Sequence, residues 1–310
     1  MIRKLALITL FVAGCASQEQ KTSIEKTNEG VKALRQKHFD VAIGKLEEAT
    51  KAYKDNHTAW YNLGLAYDGQ KKWEDAAKAY EQAVKLSSGD AMYHMNYGIA
   101  LYKSVIEEAK KRQARAEGKD PTEVNMADVD LKTANFEPAL TELETAVKTN
   151  ADLFRAYYYI GRIHRHNEDA QKSAEAFTKA IEANPRFGDP YIALGELYRR
   201  WDYTDEALKV LSQAKANVPG DKERAELLFA LGMAYDDKKD YAKAIEEFTS
   251  ALEADKNLHK AKYQRGMAYV RTKEWSKAKT DLEQFQKNAK DEFMKGVAQK
   301  ALMDIVAAQN

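Results

Sequence analysis

Cysteine is all but missing from this 310-residue chain. Cys15 stands alone, so no internal disulfide can staple the fold and no cysteine set can hold a metal. Prolines number five, few enough to leave long stretches free to run as helix, and 31% charged residues suit helices with solvated outer faces. Neither sign of charge dominates: 49 Lys and Arg face 48 Asp and Glu, without the clustered basic excess that nucleic acid requires. No apolar run beyond residue 14 is long enough to span a bilayer as a helix. The usual motifs of chemistry are missing too: no HExxH, CxxC, phosphate-cradling glycine loop or GxSxG elbow. The six histidines (His38, His57, His94, His164, His166 and His259) are scattered, and His164 and His166, two apart on a helix, do not share a face. Carboxylates such as Glu246 and Glu247 sit on solvated helix faces. These absences argue against an enzyme; no catalytic residue, no metal and no cofactor is expected.

What is present is a repeat. Residues 57–90 read HTAWYNLGLAYDGQKKWEDAAKAYEQAVKLSSGD. Gly64 and Ala76 are small enough for two helix backbones to approach closely. Trp60, Leu63, Tyr67 and Tyr80 fill the seam between them, and the polar stretch 68–72 makes the turn. The same glycine recurs at Gly30, Gly64, Gly98, Gly161, Gly195, Gly232 and Gly266, in steps of 34, 34, 63, 34, 37 and 34 residues. The step of 63 is one period plus 29 residues. A small residue follows in each second helix, at Ala42, Ala76, Ala139, Ser173, Ala207, Ala244 and Ala278, and Pro185 and Pro219 stand where repeats end. One such hairpin cannot bury its apolar stripe alone, so neighbouring copies have to stack on it.

The W-x₂-L-G-x₂-Y…A-x₃-F spacing, with Tyr80 for the Phe, resembles the tetratricopeptide repeat. The resemblance covers nearly all of the chain after residue 22. It implies an all-α solenoid: a right-handed superhelix of about seven helix-turn-helix repeats over 23–290, closed by a capping helix at 291–310. There Phe293, Val297, Ala301 and Ile305, beside Met294, Ala298, Leu302 and Val306, form an i, i+4 stripe. The seventh repeat is worn, with Arg265 where Leu or Ile is usual and Phe285 in place of the last small residue. The third is interrupted at 104–135. Val105, Ile106 and Ala109 carry its first helix on to about Glu117, Gly118 suits a helix end, and 125–133 lack a strong period and read as loosely ordered. The insertion is either a partner-specific arm or a tolerated loop.

Residues 1–14 stand apart. Arg3 and Lys4 precede a short apolar run from Leu5 to Ala13, the order of a cleaved secretory signal. Val12-Ala13-Gly14-Cys15 resembles the lipobox of bacterial lipoproteins, which implies cleavage before Cys15 and acylation of its thiol. Ala16 in place of Asp implies, by the same resemblance, sorting to the outer membrane. Residues 15–22 read as a lipidated cysteine and a short tether, about 25 Å at full extension, that keeps the repeats close to the membrane. Acyl chains would then anchor the protein without any span.

By the same family resemblance, the first helix of each hairpin lines a groove for a protein segment, through positions three before and one and four after the glycine. The first two of those places hold Tyr61 and Leu65, Met95 and Ile99, Tyr158 and Arg162, Ile192 and Glu196, Phe229 and Met233, Tyr263 and Met267. Arg155, Arg162, Arg165, Arg199 and Arg200 add a basic cluster midway, suited to carboxylates. An exposed apolar strip would mark an interaction site; the alternative is that these side chains pack between repeats. The Lys/Asn clamp of some co-chaperones is absent, since Thr27 and Val31, or Tyr61 and Leu65, occupy its places. The expected partners are envelope proteins or peptide segments, with no nucleic acid. Two versions stand: a pilotin-like factor for secretin and pilus assembly, or an adaptor for peptidoglycan enzymes, motility or secretion components. Oligomeric state is open. Replacing Cys15→Ser is expected to release the protein from membranes, checked by fractionation together with mass spectrometry for lipid on the unchanged chain.

Overall fold

The computed structural model describes residues 16–125, 129–289 and 292–309. The lipobox and Cys15 lie outside the described residues. Every regular element among them is an α-helix, and the helices pair in chain order. The pairs are α1 (Gln18–Arg35) with α2 (Phe39–Ala52), α3 (His57–Gly69) with α4 (Trp73–Leu86), and α5 (Ala91–Glu117) with α6 (Glu137–Thr149). They continue as α7 (Phe154–His166) with α8 (Ala170–Ala183), α9 (Gly188–Arg200) with α10 (Thr204–Asn217), α11 (Asp221–Asp237) with α12 (Tyr241–Ala254), and α13 (His259–Arg271) with α14 (Trp275–Asn288), before a last helix, α15 (Glu292–Gln309). The chain divides into two compact units, Met1–Tyr159 and Ile160–Asn310.

Local chemistry starts and stops these helices at the repeat period. Asn56 caps α3 by accepting the Ala59 N–H at 3.0 Å, and Asp90 caps α5 by accepting those of Met92 and Tyr93 at 2.9 and 3.3 Å. In six hairpins the seventh residue after the glycine turns left-handed: Lys37, Lys71, Glu168, Asp202, Lys239 and Lys273, all with φ between 59° and 63°. The next N–H then reaches back to the first helix, as from Lys72 to the Tyr67 carbonyl at 3.0 Å and from Tyr203 to Tyr198 at 2.9 Å. None of the six is glycine, so each turn carries a left-handed cost of roughly 1–2 kcal/mol.

Within each hairpin the signature glycine lies under a large side chain of the second helix. A Cβ on Gly64 would stand 2.5 Å from the Tyr80 ring, one on Gly195 2.7 Å from Leu211 Cγ, and one on Gly232 2.6 Å from the Phe248 ring. Tyr80, Phe177, Leu211 and Phe248 are buried outright. At the fourth hairpin, where Ser173 replaces the usual alanine, its hydroxyl donates to the Gly161 carbonyl at 2.9 Å, which satisfies the buried oxygen.

Four expectations need correction. Helix α1 reaches back to Gln18, because Ser17 forms a capping box with Gln20; residues 18–22 are helix and not tether. The insertion is not loose at its described positions. Val124 and Val129 are buried against Ala109 and Ala114 on the extended α5, and Gln113 accepts the Asp130 N–H at 3.0 Å. Residues 126–128 lie outside the description. On α15 the buried track runs through Ala298 and Ile305, with Ala301 and Leu302 packed beside it, while Phe293 and Val306 are exposed. A 3.6-residue turn drifts off a strict i, i+4 line, so Phe293 and Val306, at opposite corners of the expected stripe, rotate out to solvent. Finally, Arg265 is not wear. Its guanidinium grips Asp281 at 2.7 and 2.8 Å and donates to Thr249 at 3.1 Å, a forked ion pair in place of an apolar contact.

Glycine sites here should respond in opposite directions. A Cβ at Gly44, inside α2, meets nothing within 4 Å, so Gly44→Ala should stabilise by about 0.5–1 kcal/mol through helix propensity. Lys71→Gly should stabilise similarly, by relieving the left-handed turn. Gly195→Ala should cost about 1–3 kcal/mol by overpacking against Leu211. Chemical-denaturation midpoints of the three variants check this.

Candidate functional site

The first helices carry the expected groove residues, and burial sorts them. In the first unit Met95 and Ile99 are 3% exposed. They belong to the core, a correction to their reading as solvent-facing: tucked between hairpins, they have no surface to offer. Tyr61 and Leu65 are half-buried, in a cluster with Ala77, Tyr80 and Ala100. The Tyr61 ring stacks on Tyr93 at 4.5 Å, and its hydroxyl accepts from Asn96 at 2.7 Å. Burial, with help from the nearby Asp90 and Tyr93, pushes the Tyr61 phenol up to about 12. Tyr158 is half-buried with its ring 5.5 Å from that of Tyr159, and Arg155 is exposed.

In the second unit Ile192, Phe229, Met233, Tyr263 and Met267 are all half-buried, and Glu196 is exposed. Phe229 leans on Phe248 with ring centres 5.8 Å apart, and Tyr263 on Phe285 at 5.1 Å. Lys260 Nζ lies 4.4 Å above the Phe229 ring while bound to Glu226 at 2.6 Å. Phe229 and Tyr263 thus sit partly in the seam and are only partly open to solvent.

Three of the second unit's arginines are engaged within it. Arg165 pairs with Glu196 at 3.6 Å, Arg199 with Asp237, and Arg271 with Asp236 at 3.0 Å. Arg162 is half-buried. The reading of Arg199 as an open receptor for a partner's carboxylate is corrected accordingly, while Arg165 is held more loosely. Acidic residues on the next hairpin already stand within reach, and each exposed pair is worth roughly 0–1 kcal/mol. Asp237, Asp236 and Glu226 escaped notice in the sequence, although the signal was there: opposite charges about one period apart, as also in Lys103 with Asp68 at 3.0 Å. The partly buried His166 feels this cluster. Burial first, then the charges of Arg165 and Arg162, pull its imidazole from the usual 6.5 down to about 4. Among the described residues no three His, Cys, Asp or Glu converge as metal ligands, and no helix is long and apolar enough to cross a membrane.

Known proteins agree with this architecture. Tetratricopeptide repeat models match residues 27–91, 67–117 and 124–186, then 225–258, then 260–291. The chain is 26% identical over 193 residues to Protein O-mannosyl-transferase TMTC3 of Mus musculus, covering 62% of this chain and 19% of that one. It is 34% identical over 184 residues to Cytochrome c-type biogenesis protein CycH of Pseudomonas aeruginosa, covering 56% and 42%. It thus spans less than half the length of either curated relative. A solved tetratricopeptide repeat protein from Parabacteroides merdae has a similar fold, with a TM-score of 0.58 at 15% identity, covering 92% of this chain and 99% of that one.

The depressed imidazole gives a pH signature. Between about 4 and 6.5 the unfolded chain binds the His166 proton and the folded chain does not. The stability from this group is therefore complete above pH 6.5 and is lost as pH falls toward 4. His166→Gln should flatten that part of the acid limb, measured as unfolding free energy at a series of pH values; an unchanged slope would rule the contribution out.

Proposed function

Because this chain belongs to the tetratricopeptide repeat family, we propose that it is a protein-binding scaffold held to a bacterial outer membrane by lipid on Cys15. Support for binding comes from the first helices, where Phe229, Met233, Tyr263 and Met267 are only half-buried, the two rings lying against Phe248 and Phe285. Water contact is costly for such rings, and interface energy concentrates on aromatic and Arg residues. Support for the anchor is the basic-apolar-VAGC order at residues 3–15. The partner is an extended or helical segment of an envelope protein, and the scaffold does no chemistry of its own. The transferase named for TMTC3 is that protein's, most of which lies beyond the matched part.

Phe229 and Tyr263 also hold repeats together, so binding and stability have to be measured side by side. For Phe229→Ala and Tyr263→Ala, capture of envelope proteins from solubilised membranes should fall by about thirtyfold in affinity, equivalent to roughly 2 kcal/mol. Lys243→Ala, on an exposed face where it pairs with Asp240 at i, i+3 and lies 5.3 Å over the Tyr235 ring, should leave capture unchanged. If melting temperature falls and capture does not, the two rings are packing residues and the groove is not the binding surface.

A further inference from the structure

The repeat makes its own irregularities readable. Nine residues after the signature glycine, at the start of the second helix, stand Phe39, Trp73, Tyr241 and Trp275, and Phe136 takes that place in the third hairpin once its 29 extra residues are passed. In the hairpins where its cover is described, this ring lies beneath the residue five places after the next glycine. Phe39 packs against Gly69, Lys103 Nζ sits 4.1 Å over the Trp73 ring, and the Arg271 guanidinium lies 5.4 Å over Tyr241. Two hairpins depart: the fifth has Thr204 and the fourth has Ala170.

At Ala170 the covering residue is still present. Arg200 occupies the place of Lys103 and Arg271, is exposed, and ends α9. Between it and Ala170 opens a pocket of ≈ 360 Å³, lined by Arg165, Glu168, Ala170, Leu197, Arg200 and Trp201. Trp201 is 52% exposed, an unusual state for so large an apolar side chain. The site thus has a cation without its ring, an apolar wall of Leu197 and Trp201, and a second cation, Arg165. Glu196, 3.6 Å from Arg165 and 53% exposed at its side chain, holds that arginine only loosely.

We propose that this pocket binds an aromatic side chain of an acidic peptide segment. The ring takes the place that Trp73 and Tyr241 fill in their own hairpins, beneath Arg200, and a neighbouring carboxylate of the peptide displaces Glu196 from Arg165. Two arginines against the single Glu168 in the lining give the site its preference for an acidic neighbour. A nucleotide also joins a flat ring to an anion, but Glu168 opposes a phosphate dianion, and the chain has no basic excess. The pocket lies at the turn ends of the fourth and fifth hairpins, and this proposal does not rest on Phe229 or Tyr263.

A fluorescein-labelled peptide, Gly-Ser-Trp-Asp-Glu-Gly, titrated with the full chain and followed by anisotropy, tests it. Ala170→Trp supplies the missing ring from within and should weaken binding at least about tenfold, with a melting temperature equal to or above that of the unchanged protein. Arg200→Gln should weaken it by about three- to tenfold through loss of the cation–π contact. Lys243→Ala, outside the pocket lining, should not alter it. Should Ala170→Trp fail to fold, Arg200→Gln and a peptide with alanine for its tryptophan decide the matter. The proposal is overturned if the alanine peptide binds equally, if folded Ala170→Trp binds like the unchanged protein, if AMP competes as tightly as the unlabelled peptide, or if the titration gives no saturable change in anisotropy.

Discussion

The close approach of two helix backbones at a glycine is the constraint on which every other contact depends. In each hairpin the glycine of the first helix receives one large side chain of the second: Leu46, Tyr80, Leu143, Phe177, Leu211, Phe248 or Leu282. All seven are at most 1% exposed. A methyl group at the glycine would have to occupy the same space, so the crossing distance is fixed by an absence. With that distance set, the small residue of the second helix, the left-handed turn and the capping residues fall at constant offsets. The third hairpin demonstrates how strong the constraint is. Its α5 runs to Gly118 and a long loop follows, yet Gly98 still meets Leu143, and the regular seam resumes as if the insertion were not there.

Stacking is a weaker and more varied affair. Between hairpins the structure uses half-buried rings, such as Tyr61 on Tyr93 and Phe229 with Lys260 above it, and ion pairs about one period apart. Exposed pairs such as Lys238 with Asp205 contribute little singly. Lys215 with Glu247 is different, because the carboxylate is 8% exposed and would be costly to leave alone. The same holds for Asp281, which is 6% exposed and held by Arg265. The side chains that hold repeats together are thus in part the ones that could hold a partner. A scaffold of this kind couples its stability to its binding surface, and substitutions in the groove test both at once.

Much of this was legible in the sequence. Seven glycines in register, each with its small partner, determine the number of hairpins and the residues of each seam, because both follow from spacing along one chain. Hydrophobic periodicity also identified the last helix and the long α5. Exposure was not legible. Met95 and Tyr61 hold the same place in successive repeats, yet one is core and the other keeps a solvent face, since the difference lies in what the adjacent hairpin brings against them. Arg265 read as a defect until Asp281 and Thr249, sixteen residues away in opposite directions, were seen around it. Arg199 read as open until its partner on the next hairpin was placed.

The sequence by itself therefore determined the hairpins, their number and the glycine seams within them, because those depend on offsets of a few to sixteen residues along one chain. Only the tertiary structure decided which groove residues face water, which charges are already paired, and where Ala170 leaves Arg200 without a ring. Those properties arise between hairpins, where two surfaces of separate sequence must meet, and no period within one repeat specifies the side chain that the next one brings.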